Sequence, residues 1–530
     1  MDDELTITAI LRRAEQFSPD REVVSREPDR SLHRTTWSAI GGRARRLASA
    51  LLGLGLRPGA RVATLCTSHR RHLELYFAAP IAGLVLHPLN PRLRVEDLAY
   101  IAGHAADEVL VLDEAFLPIY EQLRETTSFR HVVVIGAATG EAISYEALVE
   151  RGRADWVPPD LPERSTALIG FTSGTTGRPK GVEFTHRAVA LHTLSSSLHG
   201  WLAVRDTDVL LPVVPMYHAL AWGWPYTAAL LGAGLVLPGP FLDPASLLEL
   251  FDSERVTLTG GVPTIWTGVL HALDAEPKRY DLTPLRAILS GGSTAPPSMI
   301  AGYAERHGLN LVHTWGMSEL MMGAIAELSA ELQQADPEQQ QRHRAMQGRP
   351  MPFVEIRARG EDGFVAWDGE SLGELEIRGP WVAREYLAEP DASARQWTDD
   401  GWFRTGDIVT ITPGGYLGIA DRAKDLIKSG GEWISTPALE SALAAHPAVA
   451  EAAVVGVTDE RWGERPLAVI AFHPGTSATP DELREFLLPR VARWWLPERI
   501  EIVAAVPTTA VGKFDKVALR RTFTSRGADS

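Results

Sequence analysis

Stretches that read as strand alternate with stretches that read as helix along the first half of the chain, and this alternation limits the folds open to it. RTTWSAIGGRARRLASALLGLGL (34–56) carries apolar residues at helical spacing. RPGARVATLC (57–66) follows as a turn and a β-rich run, and EVLVLD (108–113) and HVVVIG (131–136) read as further strands. Strands interleaved with helices build parallel sheets with helices on their faces. The 530 residues exceed the usual size of one hydrophobic core, so two or more domains are expected.

The second half changes character. ELSAELQQADPEQQQRHRAMQ (327–347) is polar and Gln-rich and reads as a surface excursion. Beyond about 350 the runs shorten to strands and turns, as in GELEIRGP (373–380) and GGYLGIADR (414–422). ALESALAAH, AVAEAAVVGV, RPLAVIAFH and DELREFLLPRVARWWL then alternate by themselves, enough for a small α+β domain. The boundary is expected near DRAKD (421–425), dividing the chain into 1–421 and 422–530, with RWWLP (493–497) in the small domain's core.

A formal net charge of −15 excludes non-specific nucleic-acid binding as the main role. Cys66 is the only cysteine, so there is no internal disulfide and no cysteine metal cluster. MDDELTITAI lacks the flank and core of a signal peptide. The longest apolar run, about 228–242, is broken by prolines and too short to span a bilayer. A cytoplasmic enzyme without a transmembrane segment is expected.

Against that acidic background, FTSGTTGRPKG (171–181) holds three glycines, four Ser/Thr hydroxyls, an arginine and a lysine, and no acid. Glycine N–H groups can converge on an anion because no side chain blocks the approach. Thr172, Ser173, Thr175 and Thr176 add donors, and Lys180 adds charge. The hydrolase phosphate loop does not fit, because Gly174 is followed by Thr-Thr-Gly-Arg-Pro-Lys-Gly without Gly-Lys-Ser/Thr. Pro179 argues against a helix opening directly at the lysine. Read alone, the loop suits a plain connector as well as an anion cradle.

Its company decides. FTSGTTGRPKGVEFTHRAV resembles the signature loop of the adenylate-forming superfamily of acyl-CoA synthetases, carrier-protein-loading adenylation domains and firefly-type luciferases. PMYHALAWGWP (215–225), LSGGSTAPP (289–297), TWGMSEL (314–320), GELEIRGP, GWFRTGD (401–407), DRAKDLIKSGGEWIS (421–435) and VPTTAVGKFDKVALR (506–520) follow in that family's order. These eight segments lie between 171 and 520, within a resemblance that covers about 36 to 520, and PMYHALAWGWP, GGEWIS and VGKFDK are most similar to medium- and long-chain fatty acyl-CoA synthetases.

The resemblance implies an ATP-dependent acid–CoA ligase with Mg2+, its substrates a small-molecule carboxylic acid, ATP and CoA. It implies an α/β fold: a large N-terminal domain of layered α/β subdomains plus a β-rich subdomain, and a small mobile α+β C-terminal domain. Thr172, Ser173, Gly174, Thr175, Thr176, Gly177 and Lys180 would hold the phosphates. Gly291, Gly292, Thr314, Trp315, Gly316, Met317 and Ser318 would border the adenylate, unless the glycines are only turn glycines. Asp407 would accept the ribose hydroxyls, and Arg422 and Lys428 would approach the nucleotide. Trp315 replaces the family's usual tyrosine, keeping the flat face and losing the hydroxyl; Ser318 replaces a commoner threonine.

Thr176 and Glu319 are the implied Mg2+ ligands, Glu319 counting also among the catalytic groups. Lys513 matches the catalytic lysine that bridges the carboxylate and the α-phosphate and neutralises charge as it builds. Lys424 matches the hinge on which the small domain turns for the second half-reaction. Gly430, Gly431, Glu432 and Trp433 would then face the pantetheine of CoA. His218, Ala219 and Trp222 would border the acyl pocket, His218 also serving as a catalytic gate.

Loading a carrier-protein thiol is the nearest rival activity; the compact 380–425 region favours free CoA. A luciferase-like oxidation suits the same motifs but is the less expected activity. A non-catalytic adenylate binder is disfavoured by the joint presence of Thr176, Glu319, Asp407, Arg422 and Lys513. Medium-chain fatty acids lead, while long-chain, branched, aryl-alkanoic or steroid side-chain acids suit the same motifs. A homodimer is a further expectation from the resemblance.

Overall fold

The computed structural model describes residues 3–138, 140–172, 178–198, 203–429, 432–459, 461–509 and 514–524, less the side chains of Glu432 and Thr524. Its described strands assemble into four sheets. The segment expected to be helical over 34–56 forms the helix Trp37–Gly53, capped where the Thr36 side chain accepts the Ala39 N–H. Trp37, Ile40, Ala44, Leu47, Ala48 and Leu51 make its buried stripe at three- and four-residue spacing.

That helix covers a seven-stranded sheet ordered Ile143–Ser144, His131–Ile135, Asp107–Asp113, Arg61–Leu65, Val85–Pro88, Thr166–Phe171 and Gly181–Thr185. All neighbours are parallel except the last pair, a hairpin whose connection is the glycine-rich loop. A strand, not a helix, follows Lys180, as Pro179 required.

A nine-stranded sheet lies beside it, with five parallel pairs through Glu22–Arg26, Gly234–Leu237, Val209–Pro212, Leu258–Gly261, Ala287–Ser290 and Leu311–Met317. Val209–Pro212 lies between Gly234–Leu237 and Leu258–Gly261, so the strand order reverses at its carboxyl end. Ligand crevices form at such points in open α/β sheets, and PMYHALAWGWP leaves from this one.

Glu355–Gly360, Gly373–Arg378, Phe403–Ile411 and Leu417–Arg422 form an antiparallel sheet with Gly363–Phe364 at its edge. The smaller C-terminal domain is built on Ile427–Ser429, Glu432–Ile434, Val449–Asp459, Gly463–Phe472 and Arg499–Ile502. Helices Thr436–Ala444 and Pro480–Leu487 bury Leu439, Leu443, Leu483 and Leu487 with Val454 and Ile470, and Lys516–Thr524 brings Leu519 to Val455 and Val469.

The surface reading of 327–347 holds: the helix Pro337–Ala345 buries no residue. RWWLP needs correction. Trp495 packs against the small domain's core, but Trp494 is 51% exposed and its carbonyl accepts an Arg465 N–H at 2.7 Å. Adjacent residues of the short Arg493–Trp495 turn face different ways, so only one indole reaches the core. Among the described residues, no helix is long and apolar enough to cross a membrane.

Two glycines separate backbone strain from overlap. Gly59 (φ +83°) and Gly348 (φ +89°) are both left-handed; a Cβ at 59 meets nothing within 4 Å, while one at 348 falls 1.9 Å from the Ile325 carbonyl. Each alanine incurs the left-handed cost of about 1–2 kcal/mol. Gly348→Ala is expected to lose at least about 2 kcal/mol more than Gly59→Ala; equal losses in urea or thermal unfolding would contradict the packing described.

Candidate active site

The glycine-rich loop leaves the sheet through a tied neck. Phe171 and Gly181 are paired, the Thr172 N–H donates to the Lys180 carbonyl at 3.0 Å, and the Lys180 N–H donates to Thr172 Oγ1 at 3.1 Å. Ser173, Gly174, Thr175, Thr176 and Gly177 lie outside the described residues, as do Gly430, Gly431 and Lys513. The neck nevertheless fixes where the loop starts and ends.

From the neck, a chain of contacts runs inward. Lys180 Nζ lies 4.7 Å from the centre of the Tyr386 ring, and the Tyr386 hydroxyl donates to Glu319 Oε1 at 2.8 Å. Tyr386 is held there because Leu387 N–H donates to the Gly181 carbonyl at 2.9 Å. Burial holds the Glu319 carboxyl above its ordinary range, against the hydrogen bond from Tyr386 and the charges of Arg422 and Lys180. A nearly sealed carboxylate beside a phosphate loop is a hard oxygen donor of the kind Mg2+ takes. Tyr386 carries no motif of its own; the 67 residues separating it from Glu319 leave no local pattern to find.

A second cluster forms around Asp407. The register Asp407↔Arg422 sets Arg422 Nε 2.7 Å from Asp407 Oδ1, and the Trp315 indole N–H donates to Oδ2 at 2.9 Å. Tryptophan in place of tyrosine therefore loses a hydroxyl and supplies an N–H. A bulge between Trp315 and Gly316 turns the strand, and a Cβ on Gly316 would sit 2.0 Å from the Met321 carbonyl oxygen. Thr314 donates its hydroxyl to the Ala324 carbonyl at 2.7 Å; Met317 ends the strand, and half-buried Ser318 lies in the following turn.

Gly291 stays bare for a packing reason: its Cβ would meet Thr314 at 2.8 Å and the Trp222 ring at 3.1 Å. Gly292 has φ +85°. Trp222 also covers Gly260 and belongs to an unusual turn, Ala219 to Trp222, in which four consecutive non-glycine residues have positive φ. Half-buried His218 enters this turn and, with Phe171, Thr172 and Tyr217, lines a small cleft.

Other expected residues stand apart. Lys428 lies 5.0 Å over the Trp433 ring, on the hairpin Ile427–Ser429/Glu432–Ile434. Lys424 is exposed in the turn before that hairpin, its carbonyl accepting from Arg520 at 3.4 Å.

The AMP-binding enzyme family matches residues 11–387, and the AMP-binding enzyme C-terminal domain matches 438–513. The chain is similar to a long-chain-fatty-acid–CoA ligase of Thermus thermophilus, 45% identical over 529 residues (99% of this chain, 96% of that one). It is 42% identical over 534 residues to a 3-methylmercaptopropionyl-CoA ligase of Ruegeria lacuscaerulensis (99% and 98%). It is 39% identical over 533 residues to a medium-chain-fatty-acid–CoA ligase of Ectopseudomonas oleovorans (99% and 97%). Its fold matches a crystal structure of the anthranilate CoA ligase AuaEII in complex with anthranoyl-AMP, with TM-score 0.88, 23% identity and coverage of 99% and 98%.

Glu319 yields a pH prediction. An acid held up by burial binds its proton more tightly folded than unfolded, so stability falls as pH rises from the ordinary carboxylate range through the raised value. Glu319→Gln is expected to melt higher than the wild type near neutral pH, with a shallower decline as pH rises above the ordinary carboxylate range. Melting curves with the same pH dependence for both would refute this.

Proposed function

The chain belongs to the AMP-binding enzyme family and is an AMP-forming acid–CoA ligase; from that premise we infer that its acid is a medium- to long-chain fatty acid and that the two clusters above hold ATP. A carboxylate is a poor acyl donor because oxide leaves badly, and joining it to the α-phosphate supplies AMP as the leaving group. The reading is carried by one observation: Lys180 and Arg422, from the loop neck and from Asp407's partner, both bear on buried Glu319.

In this reading the loop from Thr172 to Lys180 surrounds the leaving pyrophosphate, the Asp407 carboxylate accepts the ribose diol, and the Trp315 ring lies along the base. Phosphoryl chemistry is chiefly positioning and charge stabilisation. Thr176 and Glu319 would hold Mg2+, which when bound supplies positive charge to the phosphates. Lys513 neutralises the reacting oxygens. The small domain begins at about 422 and turns at Lys424, bringing Gly430, Gly431, Glu432 and Trp433 toward CoA; Lys428 rides on the same hairpin.

A shorter acid is favoured by one observation. Trp222 lies against Gly260 and Gly291, where a long chain would need space. The 3-methylmercaptopropionyl-CoA ligase among the relatives agrees with that reading.

Pyrophosphate release across acids of graded length, with and without CoA, tests both readings. The expected outcome is a peaked length preference, acyl-CoA formed only with CoA, and a rate about 10²–10³ lower for Lys513→Ala. No acid-dependent release would refute the ligase. Trp222→Ala is expected to move the preference toward longer acids; an unmoved peak would remove Trp222 from the acyl pocket.

A further inference from the structure

Two buried histidines pair with aspartates in the seven-stranded sheet's neighbourhood, and they differ in one respect. His69 Nε2 donates to Asp113 Oδ1 at 2.7 Å while its Nδ1 accepts the His72 N–H at 3.2 Å, so both nitrogens are used inside the fold. His87 places Nδ1 2.9 and 3.0 Å from the two oxygens of Asp107. Both of these side chains are sealed from solvent, and His87 Nε2 has no partner among the described residues. The strand Arg61–Leu65 runs between them, and small Ala63, beside His87, lets the ring lean across. A buried imidazole nitrogen left unpaired lowers stability; His186 and His192 also carry such nitrogens, but of the three only His87 lines the cleft.

His87 forms part of the wall of the small cleft. The Phe171 ring lies against it, centroids 5.1 Å apart, and Thr172, Tyr217 and His218 line the same space. The cleft thus adjoins both the loop neck and the segment leaving the point of strand reversal. Asp107 on Nδ1 fixes the tautomer, with the proton on Nδ1 and the lone pair on Nε2.

Acid–CoA ligation needs a base at only one stage. A carboxylate and ATP form the adenylate without moving a proton, whereas attack by a thiol releases one. We propose that His87 is the general base of the thioester-forming half-reaction, receiving the CoA thiol proton at Nε2, with Asp107 as its positioning residue. The S–H bond breaks as sulfur bonds to the acyl carbon, the bond from that carbon to the phosphate oxygen breaks, and AMP leaves with the electron pair. The proton on Nε2 then leaves by way of the cleft that His87 lines. This rests on the ligase reading above. The charged and titratable groups facing the pair are Arg61, which bears on Asp107, Tyr217 and His218 in the cleft, Arg92 beside Tyr217, and His104 behind Phe171. Burial pushes the Asp107 carboxyl up, against the pull of His87 and Arg61.

His87→Gln keeps an N–H for Asp107 and no base; Asp107→Asn donates to Nδ1 and moves the ring proton to Nε2. Each half-reaction is followed by rapid quench: acid-dependent pyrophosphate formation, and thioester formation from preformed acyl-adenylate and CoA. Both variants are expected to form pyrophosphate within about twofold of the wild type and thioester about a hundredfold more slowly. The deficit should shrink as pH rises through the thiol's own range. Unchanged thioester formation would overturn the proposal, and so would equal losses in both half-reactions, which mark a structural pair. Wild-type thioester formation gives an independent readout should a variant fail to fold. A wild-type pH profile that follows the thiol alone overturns the proposal. A wild type that forms no pyrophosphate with any acid fails the ligase reading instead.

Discussion

A carboxylate with 2% exposure must find its donors inside the protein, and Asp407 finds them on two other strands. The Trp315 indole and the Arg422 guanidinium each take one oxygen, joining the end of the nine-stranded sheet to the antiparallel sheet. Arg422 is the last residue of its strand, and its neighbour Asp421 accepts the Thr436 N–H at 2.7 Å, within reach of the Lys516 charge. The contact between large and small domains therefore begins one residue from Asp407's partner. In the proposed rotation, a hinge after Arg422 would leave the Asp407 cluster standing and exchange the partners of Asp421.

For a chain of net charge −15 the proposed ATP is a like-charged ligand, so the long-range field opposes it. The local arrangement answers with few charges, closely placed. Lys180 and Arg422 both bear on Glu319, and their charges oppose the burial that raises its carboxyl. Glycine N–H groups add donors without adding a side chain. Such a site is selective because its donors converge, not because the surface is basic.

Much of this was legible in the sequence. Period and turn residues located Trp37–Gly53, Arg61–Leu65 and Asp107–Asp113, and Pro179 excluded a helix after the loop. Motif order placed Glu319, Trp315, Asp407 and Arg422, and the fold brings these four within one connected network. What stayed hidden depends on the third dimension. Tyr386 and Glu319 meet only because an isolated bridge ties Tyr386 to Val182 beside the loop's neck, and His87 reaches Asp107 only across an intervening strand that places small Ala63 beside it. RWWLP misled because a short turn separates two identical side chains onto opposite environments.

The turn from Ala219 to Trp222 was hidden for a different reason: no residue type in ALAW favours positive φ. Left-handed conformers cost about 1–2 kcal/mol per residue, and here four occur in succession before Gly223. The opposing term is burial of Leu220 and Trp222, at 2% and 6% exposure, about 2–3 kcal/mol for a large apolar side chain. These terms are of one order. Leu220 rests toward Gly170, and Trp222 against Gly260 and Gly291, so the turn fits because three strand ends lack side chains. Strain of this kind gathers where a binding site needs a movable wall. The strain of the turn is thus offset by its own packing, and that packing requires the bare glycines of the strand ends behind it.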